Sequence, residues 1–139
     1  RYDVGPELRA AVRRDFEAGF CGDAETAEEI ARVWRENGYL IDTHTAVASR
    51  VLRVYRARSG DGTPAVVVST ASPYKFCDSV LRALGVETDA PGTELIGRLE
   101  RATGTSAPAP LANLAGRAVR FDMCVAPEGQ KRVVEEFLG

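Results

Sequence analysis

Ala65-Val66-Val67-Val68 is a short, uninterrupted, β-branched apolar run with turn chemistry on both sides. Ser59-Gly60-Asp61-Gly62 precedes it and Ser69-Thr70-Ala71-Ser72 follows it. Such a run reads as a strand buried on both faces of a parallel sheet. Pro73 then starts a helix with Phe76, Val80, Leu81 and Leu84 inward and Gly85 as its C-terminal stop. Strand, polar turn and helix in succession predict an α/β fold. In open α/β sheets ligands collect at the carboxyl ends of strands, so Ser69 to Ser72 is the most site-like segment of this half.

Helical spacing dominates elsewhere. Gly5-Pro6 opens a first helix carrying Leu8, Val12 and Phe16 at four-residue intervals, with Gly19 at its end. Thr26 with Glu29 three residues on forms a capping-box pattern ahead of Ile30, Val33 and Trp34, and Asn37-Gly38 stops that helix. Asp42 or Thr43 caps a third helix through Arg58, with Val47, Val51 and Val54 on one side and a ridge of Arg50, Arg53 and Arg56 on the other. The ridge, like Arg13, Arg14, Arg32 and Arg35, reads as a solvated face. Leu95, Ile96 and Leu99 mark another helix ending at Thr103-Gly104, and Ser106 to Pro110 is a connection too short to link domains. Val119, Phe121, Met123 and Val125 alternate with Arg120, Asp122 and Cys124 as a half-buried edge strand. Pro127 starts a last helix with Val133, Val134, Phe137 and Leu138. The expected architecture is a helix-rich, three-layer α/β piece with a short parallel or mixed sheet.

Length and composition bound the function. A chain of 139 residues fits a single domain, 1–139, with no internal linker. A net charge of −2, from 18 basic against 20 acidic residues, gives no whole-chain attraction to nucleic acid or anionic lipid. No uncharged apolar run is long enough for a membrane span and no signal peptide opens the chain, which reads as cytoplasmic. Cys21, Cys77 and Cys124 are widely spaced without a Cys-x-x-Cys pair, supporting neither a disulfide framework nor a zinc site. His44 is the single histidine, which excludes multi-histidine metal chemistry. Lys75 and Lys131 are the only lysines. Arg1 at the start and a lone Met123 near the end suggest a piece of a longer protein.

Two stretches carry a resemblance. Gly38-Tyr39-Leu40-Ile41-Asp42-Thr43-His44-Thr45-Ala46-Val47 resembles the G-Y-L-x-D-P-H-T-A-V stretch of threonine synthases, and Val68-Ser69-Thr70-Ala71-Ser72-Pro73-Tyr74-Lys75-Phe76 resembles their S-T-A-H-P-A-K-F stretch, in the same order. Thr43, Ser72 and Tyr74 depart from the family's proline, histidine and alanine. The resemblance implies the C-terminal part of a pyridoxal-phosphate enzyme of the tryptophan-synthase β-like fold, within its large domain. Such an enzyme turns O-phosphohomoserine and water into threonine and phosphate. It also implies that the Schiff-base lysine and the phosphate cradle lie in the N-terminal part of the same enzyme, leaving no catalytic residue in this segment and making the isolated chain inactive. A non-catalytic α/β binding or regulatory module derived from such an enzyme is the competing expectation.

The resemblance assigns Thr70, with Ser69, to the cofactor: a hydroxyl facing the pyridine nitrogen is a mild electronic setting. Without it, Thr70 is a strand-end hydroxyl bonded to nearby backbone. Asp42, His44, Thr45 and Lys75 become substrate- or pocket-lining residues. From the residues themselves, Asp42 is a helix cap and the lone His44 is structural; the resemblance divides His44 between that and a pocket-lining role. Lys75, in the first turn of its helix, opposes the dipole, so it calls for a nearby anion or carboxylate; the resemblance implies the substrate phosphate as that anion, while pairing with Asp78 or plain solvation serves equally. Cys77 reads as a small apolar filler.

Overall fold

The computed structural model describes residues 3–120 and 123–139. Of the described residues 63% are helical, and among them no strand forms. Helices α1 (Gly5–Asp15), α2 (Asp23–Asn37) and α3 (Thr43–Ser59) come first. A 3-10 turn, Pro73–Lys75, leads into α4 (Cys77–Ala83), followed by α5 (Gly92–Thr103) and α6 (Ala109–Ala112). Further 3-10 turns, Asn113–Gly116 and Pro127–Gly129, follow α6 and precede α7 (Gln130–Leu138).

Local chemistry sets these boundaries. Helix α2 starts earlier than the Thr26/Glu29 pattern implies, because Gly22 is its cap. The Gly22 N–H donates to Glu25 Oε2 at 3.0 Å, and Thr26, inside the helix, returns its hydroxyl to the Gly22 carbonyl at 2.8 Å. Gly38 ends the helix at φ +62°, a left-handed conformation that a Cβ disfavours. Gly38→Ala is therefore expected to cost about 1 kcal/mol, read as a lower thermal midpoint with unchanged helix content. Helix α1 stops at Asp15, four residues before Gly19, with Phe16 already extended as its cap.

The core is a helical stack: α2 packs on α3 and α4, and α4 packs on α5. Ile30 of α2, Ala46 of α3, Val80 and Leu81 of α4, and Leu99 of α5 are wholly buried within it, with Ile41, Cys77, Leu95 and Ile96 around them. Tyr74 joins them and donates or accepts a hydrogen bond at 2.7 Å with Thr105. By contrast, α1 and α7 bury no residue, and Phe16, Phe20 and Phe137 are 71%, 94% and 85% exposed. The chain's accessible surface is 10670 Å², against about 7000 Å² for a typical folded monomer of this mass. Large apolar faces at both ends thus lie uncovered.

The expected sheet is corrected. Val66 and Val68 are 90% and 69% exposed, and 65–68 runs as an unpaired segment. A strand is satisfied only by a neighbour, and an apolar run read locally cannot report whether its neighbour is in the chain. The second expected strand fares likewise: Val119 and Met123 are exposed and belong to no strand among the described residues, while Phe121 and Asp122 lie outside them. The segment 60–69 instead runs back along α3. Tyr55 donates to Asp61 Oδ2 at 3.0 Å, Arg56 donates to the Thr63 carbonyl, and Ser69 meets Thr45 at the helix start.

The arginine ridge of α3 is not merely solvated. Arg50 reaches Glu25 at 3.3 Å, and Arg53 reaches Glu29 Oε2 at 3.0 Å. The Glu29 side chain, wholly buried, also takes Arg32 at 2.6 Å and the Ser49 hydroxyl at 2.7 Å. Burial opposes its charge, but the bonds from Arg32, Ser49 and Arg53 prevail and hold its pKa at about 2. Glu29, read from the sequence as a capping residue, is instead the ionic link between α2 and α3. No helix among the described residues is long and apolar enough to cross a membrane.

Candidate functional site

The two motif stretches meet where α3 begins. Asp42 is completely buried, and as N-cap its Oδ1 accepts the His44 backbone N–H at 2.9 Å. The same oxygen lies 3.0 Å from His44 Nδ1, while Oδ2 accepts the Thr45 hydroxyl in a very short hydrogen bond. Burial pushes the Asp42 carboxyl up, yet the bonds from Thr45 and His44 outweigh it and bring its pKa below the ordinary carboxylate value.

Thr45 Oγ1 also lies 3.1 Å from Ser69 Oγ, a contact between residues 24 apart in the chain. A hydroxyl has one proton. Since Thr45 commits it to the carboxylate, Ser69 supplies the proton of the second bond. The imidazole of His44, 61% exposed, rests against the Phe76 ring at a centroid distance of 5.0 Å and 58° tilt. Thr43 Oγ1, 3.4 Å from Nδ1, flanks it.

The departures from the family stretches have local explanations. Ser72 caps the Pro73–Lys75 turn, its hydroxyl accepting the Tyr74 N–H at 3.3 Å. Tyr74 is a buried core side chain rather than a loop residue. Thr43 takes the first position of α3, which proline also suits.

Not all expected site residues converge. Asp42, His44, Thr45 and Ser69 form one bonded group, with Phe76 against it. Thr70 is exposed in the segment just beyond. Lys75 is exposed and makes no ion pair among the described residues, and Asp78 pairs instead with Arg82 at 2.8 Å. His44 lines an open cavity of about 520 Å³ with Thr26, Thr43, Ser79 and Arg82. Lys75 and Phe76 line a different one, of about 670 Å³, with Tyr74, Leu95 and Ile96. Sequence reading missed Ser79 and Arg82, and no local motif marks them. Cys77 is buried, donates to the Tyr74 carbonyl at 3.2 Å and has its thiol pKa pushed up by burial, as suits a core filler. No cluster of metal-ligating side chains occurs among the described residues.

Fold and site together define a helical domain that carries a carboxylate-organised, hydroxyl-rich turn on the rim of a partly uncovered core. Residues 45–137 match the family model described as threonine synthase, C-terminal. The chain belongs to that family. It is 36% identical over 95 residues to a threonine synthase of Pseudomonas aeruginosa, covering 66% of this chain and 20% of the relative. It is 34% identical over 87 residues to a threonine synthase of Schizosaccharomyces pombe, covering 62% and 17%. A threonine synthase-like 1 protein of Mus musculus is 32% identical over 76 residues, covering 55% and 10%. The chain thus spans a tenth to a fifth of the length of these relatives.

Proposed function

We propose that the chain acts as the C-terminal segment of a cytoplasmic threonine synthase, a phosphate-releasing lyase that converts O-phosphohomoserine and water to threonine and phosphate. In this reading it supplies one wall of the active site. The observation that carries it is the Thr45–Ser69 contact, which joins the two family-like stretches into one rim.

The residues present suit one edge of pyridoxal phosphate. The exposed hydroxyl of Thr70 can donate to a ring nitrogen, with Ser69, whose proton is given to Thr45, beside it, whereas Lys131 is engaged with Glu135 at 3.6 Å. When bound, the group supplies an electron sink, and a neutral hydroxyl at its ring nitrogen keeps that sink mild. Thr70 and Ser69 orient the ring. Asp42, His44 and Thr45 line the pocket. Lys75, exposed and without an acidic partner among the described residues, offers its ammonium to the substrate phosphate from the adjoining cavity, which Phe76 separates from His44. The covalent lysine and the phosphate cradle come from the N-terminal part of the same enzyme, which covers the apolar faces left open by α1, α7 and Val66, so the segment alone is inactive.

In the full-length protein, Thr70→Asp is expected to shift the cofactor's absorption spectrum. It should also lower turnover on the order of tenfold or more, equivalent to about 1.4 kcal/mol in the barrier, without unfolding. An unchanged spectrum with normal turnover removes Thr70 from the site.

A further inference from the structure

We infer that Asp42 is a positioning residue that fixes the sole imidazole of this chain as the Nδ1–H tautomer, so that His44 presents Nε2 outward as a proton acceptor. The inference borrows from the proposed function only the naming of this rim as a pocket wall; the tautomer is a property of the chain itself.

The geometry carries it. Asp42 Oδ1 sits 3.0 Å from His44 Nδ1 and accepts the backbone N–H of the same residue at 2.9 Å. A carboxylate oxygen can only accept, so the proton between them belongs to Nδ1 in the neutral ring. Its other oxygen is taken up by the Thr45 hydroxyl, which fixes the carboxylate plane. The Phe76 ring holds the imidazole from a second side at 5.0 Å. Complete burial of Asp42 keeps water from competing for Oδ1, whereas the ring itself is 61% exposed. Among the described residues no hydrogen bond to Nε2 occurs, and His44 borders the 520 Å³ cavity. A histidine side chain free in water favours the opposite tautomer, Nε2–H, so the chain reverses the default. A ring held this way accepts from a donor group in the cavity, an ammonium, hydroxyl or water, instead of donating to a phosphate.

The test is ¹⁵N spectroscopy of the 139-residue chain labelled at histidine, where a single imidazole gives an unambiguous pair of resonances. In the neutral ring, Nδ1 is expected at the protonated, pyrrole-type position and Nε2 at the unprotonated, pyridine-type position. Asp42→Ser keeps a side-chain oxygen able to cap α3 but puts no carboxylate at Nδ1. In that variant the two positions should exchange, with amide spectra showing α3 intact. A predominant Nε2–H form in the unaltered chain overturns the inference, as does an unchanged tautomer in Asp42→Ser. Phosphate release by the full-length protein from O-phosphohomoserine reads the proposed function separately, so either can fail while the other stands.

Discussion

Leu81→Ala is expected to lower stability by about 2–5 kcal/mol, measured as a reduced urea midpoint at unchanged slope. Leu81 is 0% exposed in α4, the helix that packs on both α2 and α5. Truncation there removes apolar contact and leaves a cavity that three helices must close. The effect is large because few side chains do this work: net stabilities of domains are about 5–15 kcal/mol, and here α1 and α7 contribute no buried residue. Phe137→Ala is the control. At 85% exposure its loss should stay within about 0.5 kcal/mol. Comparable losses from the two substitutions would show that α7 packs on the core in solution.

Glu29→Gln is the second large effect, expected at about 1–3 kcal/mol. Glu29 accepts from Arg32 at 2.6 and 3.1 Å, from Ser49 at 2.7 Å and from Arg53 at 3.0 Å, with no exposure of its own side chain. Glutamine keeps the shape but replaces one acceptor oxygen by a donor that faces guanidinium groups. The arginine side chains are 27% and 45% exposed and can turn to water, which keeps the cost below that of a fully buried pair. The pH dependence follows from the lowered pKa. Held at about 2 in the folded chain against an ordinary 4.5, the group contributes its full stabilisation above about pH 4.5 and loses it as pH falls towards 2. Denaturant midpoints across that window should fall for the unaltered chain and fall less for Glu29→Gln. The residual slope comes from the other carboxylates whose pKa is lowered, Asp42 together with Glu25, Asp61 and Asp89. Parallel slopes in the two proteins would mean that Glu29 titrates normally when folded.

Local signals in the sequence carried the helices well. Gly38 and Gly104 stop α2 and α5 as their positions imply, Asp42 caps α3, and Val80, Leu81, Leu95, Ile96 and Leu99 form the core that their spacing implies. Failure came wherever the deciding partner is remote. The α/β expectation rested on Ala65–Val68, and hydrophobicity shows that a face favours burial without showing that its neighbour is at hand. The stripe of Leu8, Val12 and Phe16 fails for the same reason: Leu8 and Val12 are helical, Phe16 is already extended, and all three are uncovered. Glu29 was ambiguous because one pattern, an acidic residue three places after a small polar one, fits both a capping box and a mid-helix ion pair. The resolving arginine, Arg53, stands 24 residues away. At the site, Asp42, His44, Thr45 and Ser69 were legible as members of two stretches. That one carboxylate ties them together was not, since a hydrogen bond across 24 residues leaves no local trace.

The unpaired segment beside α3 is governed by arithmetic. It is fastened to Arg56 at Thr63 and to Thr45 at Ser69. Those two helix positions are separated by about 16 Å along the axis, while the six peptide units between the fastenings reach about 20–22 Å at full stretch. Little slack remains, which draws the valines out straight whether or not a sheet receives them. Extra residues would only make the span sag, whereas each deletion would have to be taken up by the long Arg56 side chain at one fastening, so the number of residues here is constrained as well as their identity.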